Sequence, residues 1–156
     1  MAAKKVKTRL GKLSTKSKPS KKFVKGRLPA KQATPTAESK KIALWAAEAA
    51  LDKKATAVDI IDVAGKVDYA DYLVLMTGLN ERHVAAVARA VDEHLSKNGV
   101  QAVAIEGLPS ARWVLIDLVD VVVHVFLKEA RSLYDLDGLW LDAKRIAVST
   151  PEGRSE

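Results

Sequence analysis

The chain has 156 residues, 48% of them apolar, which suits one domain with a single core. The absence of cysteine excludes disulfides and thiolate metal sites and fits a reducing compartment. No run of about 18 apolar residues could cross a bilayer, and no apolar segment follows the basic start as a secretory signal requires, so the sequence reads as a cytoplasmic protein with no membrane partner.

The net charge of +7 is unevenly distributed. Of 26 Lys and Arg, twelve lie in residues 1–37 with no acid, leaving 14 against all 19 acids, so the remainder is mildly acidic, about −5. Residues 1–37 are therefore expected to form a disordered Lys-rich extension, with too little apolar surface to offset ordering. The extension reads either as a phosphate-seeking arm whose affinity depends on salt, or as a solvated leader. A folded domain is expected over 38–148 and a flexible tail over 149–156.

Order should begin near Thr34-Pro35, an N-cap and first-turn proline. Ile42, Trp45, Ala46, Ala49 and Ala50 then recur at helical spacing to about Lys53. Ala57–Val63 and Tyr72–Thr77 are β-rich runs closed by Gly65 and Gly78, with a loop or single turn over 67–71 between them. Asn80 caps a helix whose apolar positions are Val84, Val87, Ala88, Val91 and Leu95, and Asn98-Gly99 ends it. A strand is expected over Val100–Ile105, followed by a turn at 106–110.

Val121, Val122, Val123, Val125 and Phe126 crowd six positions, so both faces of this strand must be covered. With the preceding run from Arg112 to Asp117 it forms an antiparallel hairpin, since only a tight reversal fits between them. A short helix over 129–134 and an apolar finish over 136–140 complete an α/β layer fold with a mixed sheet of about five strands flanked by helices.

Metal-assisted nucleotidyl transfer would need closely paired carboxylates beside a Gly turn. Leu79 and Asn80 follow Gly78, and no Asp-x-Asp pair stands nearby. Asp59 and Asp62, three apart, face opposite sides of a strand. His83 and His94 are separated by about 16 Å of helix, too far to share an ion, and no phosphate loop, nucleophile elbow or dinucleotide fingerprint is present. The reading contains no catalytic residue, metal or cofactor. It does contain the residue types of a docking surface: Trp113, Asp117, Asp120, His124, Arg131 and Tyr134, in one third of the chain. Within it His124 can equally be a hydrogen-bonded core residue, Trp140 either fills the core or joins the face, and Trp113, in phase with Asp117, belongs to a half-exposed face.

Glu106-Gly107, Trp113-Val-Leu-Ile-Asp117, Asp120-Val-Val-Val-His124-Val-Phe126, Arg131-Ser-Leu-Tyr134 and Leu139-Trp140-Leu-Asp142-Ala143 resemble the ribosomal silencing factor (RsfS, or Iojap-like) family over roughly 39–143. The upstream Asp71-Tyr72, Thr77-Gly78 and Arg82-His83-Val84 are also similar to it. The resemblance implies a nucleotidyltransferase-like fold without a catalytic motif. It also implies a partner, the fourteenth protein of the large ribosomal subunit, where binding would block small-subunit joining and lower translation under nutrient limitation. Homodimers are implied too, and the basic extension could touch nearby ribosomal RNA. This chain has Val119 where the family usually has Gly, and Leu79-Asn80 after Gly78. The alternative is a nucleotidyltransferase-like enzyme or nucleotide-binding protein with degenerate motifs.

Overall fold

Two strands with every residue buried form the spine of the protein: β2 (Tyr72–Gly78) and β5 (Val121–Leu127). They lie side by side and parallel, Leu75 opposite His124 and Thr77 opposite Phe126. Strands buried on both faces lack alternation, which is why both read as continuous apolar runs. The computed structural model describes residues 34–146 and Val148. The extension placed at 1–37 lies outside these residues except for its last four positions, and the tail at 149–156 lies wholly outside them.

Around the spine, β1 (Thr56–Asp62) pairs antiparallel with β2, and β4 (Trp113–Asp117) pairs antiparallel with β5. Edge strands β3 (Ala104–Glu106) and β6 (Arg145–Ile146) complete a six-stranded mixed sheet in the order β3-β4-β5-β2-β1-β6. The sequence pointed to about five strands. β6 is only two residues long and leaves no periodic signal. The strand expected over 100–105 shrinks to 104–106, with Val103 N bonded to the Asp117 carbonyl beyond its end.

One face of the sheet is covered by α1 (Ala37–Asp52) and α2 (Glu81–Lys97). The cap of α1 is Thr36, not Thr34: its side chain accepts from Ser39 N, and Pro35 therefore precedes the helix. Asn80 caps α2 by accepting from His83 N at 2.8 Å, and all five apolar positions read from the sequence are buried. At Gly78 a Cβ would lie 2.7 Å from Val84, so the missing side chain lets α2 pack directly on the end of β2. His83 fastens the same corner. Its Nδ1 accepts from Leu79 N at 2.9 Å, which leaves the proton on Nε2 to bond the Lys53 carbonyl at 2.7 Å.

The opposite face is crossed by the C-terminal segment, α3 (Lys128–Tyr134) and α4 (Leu136–Leu139), before the chain reaches β6 at the sheet edge. Asp135 makes the corner between the two short helices, in the left-handed region at φ 49°, and its side chain accepts from Gly138 N. Where β4 turns into β5, Val119 has φ 79° and Asp120 N bonds back to the Leu118 carbonyl at 3.1 Å, a γ-turn centred on a β-branched residue. The backbone there holds a conformation that glycine favours and a β-branched residue rarely adopts.

Candidate functional site

Strand register places Trp113, Leu115 and Asp117 of β4 on the same face as Val122, His124 and Phe126 of β5. On this face Trp113 meets three rings: Tyr134 at 4.5 Å between centroids, Phe126 at 5.1 Å and His124 at 5.9 Å. Phe126 is fully buried and stacks on His124, whereas Trp113 is half-buried and Tyr134 is 52% exposed. The cluster is thus rooted in the core and open at the top. Trp113 and Tyr134 are brought together because α3 follows β5 directly and folds back over the β4 end.

Inside the cluster Trp113 Nε1–H donates to His124 Nδ1 at 3.0 Å. Burial pulls the His124 pKa down to about 4, so the ring is neutral at physiological pH. The core reading of His124 and the surface reading of Trp113 meet in one hydrogen bond.

Arg131 faces the other way. Its side chain is 12% exposed and its guanidinium reaches under α3 to β1 and β2, pairing with Asp59 and Asp137, each at 2.9 Å. The remaining donors bond Thr77 Oγ1 at 2.9 Å and the Ala57 carbonyl at 2.6 Å. That carbonyl is presented by a bulge in β1, where Ala57 sits at φ 49°. Arg145 adds contacts to Asp59 and Asp137. Burial alone would lower the Arg131 pKa, but the hydrogen bonds and charges of Asp137 and Asp59 outweigh it, and the Arg131 hydrogen bond holds the Asp137 carboxyl below its ordinary range. Arg131, expected on the docking face, instead ties the C-terminal segment to the sheet.

Asp117 and Asp120 lie at the far end of the hairpin, about 13 Å of strand from Trp113. Asp117 accepts from Val119 N at 3.0 Å and shapes the turn. The Asp120 carbonyl accepts from Asp71 N and Tyr72 N and fastens the turn to β2, while its side chain is exposed. The six residues read as one surface therefore divide into an aromatic cluster, an internal ionic tie and a turn.

Three surface residues escaped the sequence reading: Leu133, Leu139 and Leu141 are 73%, 65% and 80% exposed. They flank Tyr134 and Trp140, and their signal was an apolar density too high for helices as short as α3 and α4. Exposed aliphatics beside a rooted aromatic pair make a surface suited to covering by another protein. At the ends of β2 and β5 lies an open crevice of about 560 Å³, lined by Thr56, Thr77, Gly78, Lys128 and Ser132 among others. Of the carboxylates that line it, Asp137 is engaged by Arg131 and Arg145 and Asp135 accepts from Gly138 N, while Glu129 is exposed. No three His, Asp or Glu among the described residues converge as a metal-holding group.

The fold and this surface define a small mixed α/β domain with an aromatic cluster open to solvent at Tyr134 and exposed leucines in its C-terminal segment. Residues 36–156 match the family model described as "ribosomal silencing factor during starvation", and the chain belongs to that family. It is 44% identical over 104 residues to the ribosomal silencing factor RsfS of Bacillus subtilis, covering 67% of this chain and 88% of that one. It is 32% identical over 84 residues to the mouse protein named mitochondrial assembly of ribosomal large subunit protein 1, covering 52% of this chain and 37% of that one. A crystal structure of a Chromobacterium violaceum protein superposes with a TM-score of 0.65 at 33% identity, covering 73% of this chain and 96% of that one.

Proposed function

We propose that the chain binds the large ribosomal subunit through its fourteenth protein and, by occupying the face needed by the small subunit, blocks subunit joining and lowers translation under nutrient limitation. The observation that carries this reading is the Trp113–Tyr134 pair, rooted in the core yet exposed at Tyr134, with the exposed Leu133 next to Tyr134 in the chain. Such anchors supply holding energy at interfaces, while the acid excess of the folded part would speed and orient approach to a basic ribosomal protein. Asp120, exposed at the hairpin tip, is suited to the rim of such a contact. The block is steric and requires no chemistry of the chain's own.

Sedimentation of mixed ribosomal subunits tests it. The intact chain at saturation is expected to shift joined ribosomes to free subunits, and Tyr134→Ala, at an exposed position, to weaken large-subunit binding about tenfold or more. Unchanged joining with the intact chain at saturation defeats the proposal. The crevice beside Gly78 is what a nucleotide-binding rival would use, and such a rival requires a divalent-metal-dependent nucleotide shift in thermal stability.

A further inference from the structure

One polar atom of the aromatic cluster is left without a use among the described residues. Because His124 Nδ1 accepts from Trp113 Nε1–H, the neutral imidazole carries its proton on Nε2. Nε2 has no hydrogen-bond partner among the described residues. The residue as a whole is 7% exposed, at the base of the cluster that opens to solvent at Tyr134. It lies beside Trp113, Phe126 and the half-buried Leu115, which stands directly across the strand pair.

A partner that covers this surface removes water from an N–H surrounded by apolar groups. Unless the partner supplies an acceptor, that donor is buried unsatisfied, at a cost comparable to much of what the aromatic contact contributes. The acceptor chemistry is also constrained. No cation borders the cluster through a described hydrogen bond, so a carboxylate would lose its hydration without compensation, whereas an amide carbonyl would lose far less.

We propose that His124 Nε2–H donates a hydrogen bond to an amide carbonyl of the docked partner, and that Trp113 is a positioning residue that fixes the tautomer making this donor available. This rests on the docking reading above and names the chemistry of its contact. Trp113 N–H, imidazole and partner carbonyl then form one polarised chain of hydrogen bonds crossing an otherwise apolar contact.

The test has two readouts on the full chain. Long-range nitrogen NMR of histidine-labelled protein is expected to show His124 protonated at Nε2 and bare at Nδ1, and Trp113→Phe to move part of the population to the other tautomer. Titration with purified large ribosomal subunits is expected to show binding about tenfold weaker for His124→Phe, which keeps the stack on Phe126 but removes the donor. Should His124→Phe not fold, Trp113→Phe carries the test, and an unchanged tautomer with unchanged affinity overturns the proposal. A proton on Nδ1 in the unmodified chain, or His124→Phe binding as tightly as the unmodified chain, also overturns it. Affinity that strengthens as the pH falls from about 7.5 to about 6 identifies a carboxylate acceptor and overturns the carbonyl. If the unmodified chain does not bind large subunits, the docking reading falls and this inference with it, a case told apart by an Nε2–H tautomer that is still present.

Discussion

An imidazole in a strand whose other six residues are apolar is tolerated because it is held neutral and one nitrogen accepts a hydrogen bond from Trp113. The same placement makes stability depend on pH. The native His124 pKa is about 4 against an ordinary 6.5, so between these values the unfolded chain binds the proton that the native one refuses, and stability falls as pH falls. Relative to His124→Phe, urea denaturation of the unmodified chain is expected to lose about 2 kcal/mol between pH 7 and pH 5, and a parallel pair of curves would refute this. At lower pH the depressed Asp137 carboxyl adds to the loss in the same direction, since its stabilisation disappears once it is protonated. Both readings of the relevant side chains were available in the sequence, His124 as hydrogen-bonded core and Trp113 as half-exposed face. Their pairing was not, because they are diagonal neighbours across β4 and β5 and that contact depends on register.

The C-terminal segment is held differently from the rest of the sheet. α1 and α2 are held by apolar faces that the sequence announced through helical spacing, whereas α3 and α4 total eleven residues and have only Ala130 buried between them. Arg131 and its partners supply what apolar packing does not. Arg131→Met leaves Asp59 and Asp137 without their main partner and is expected to cost about 3–5 kcal/mol. Hydrogen exchange should locate the loosening in residues 128–146, with β2 and β5 still protected; uniform loosening of the whole sheet would contradict this role. The sequence put Arg131 on the outer face because arginine is common at interfaces. What turns it inward is Asp59, 72 residues away, and a carbonyl exposed by a bulge in β1, neither of which leaves a local trace.

Charge segregation gives the molecule two regions of opposite sign: all twelve bases of the extension lie within residues 1–33, while the remainder has an acid excess. Removing 1–33 keeps the Thr36 cap and is expected to leave the thermal midpoint unchanged, to weaken large-subunit binding without abolishing it, and to flatten its salt dependence. Equal affinity and equal salt slope with and without these residues would remove the extension from the docking account. Fold class, the central hairpin and both long helices were legible because each rests on local periodicity or a tight turn. The edge strand β6, the bounds of β3 and the ionic tie were not, because they rest on contacts between distant parts of the chain. The parallel pairing of β2 with β5 also fixes an order of events during synthesis. Tyr72–Gly78 is made well before its central neighbour, and until Val121–Leu127 emerges it has β1 on one side and an unpaired edge on the other, on a strand apolar except at Thr77 and Gly78. A growing chain that pauses after α2 therefore exposes a strand edge open to pairing with other chains, so slowed elongation at that point is expected to lower the yield of folded protein.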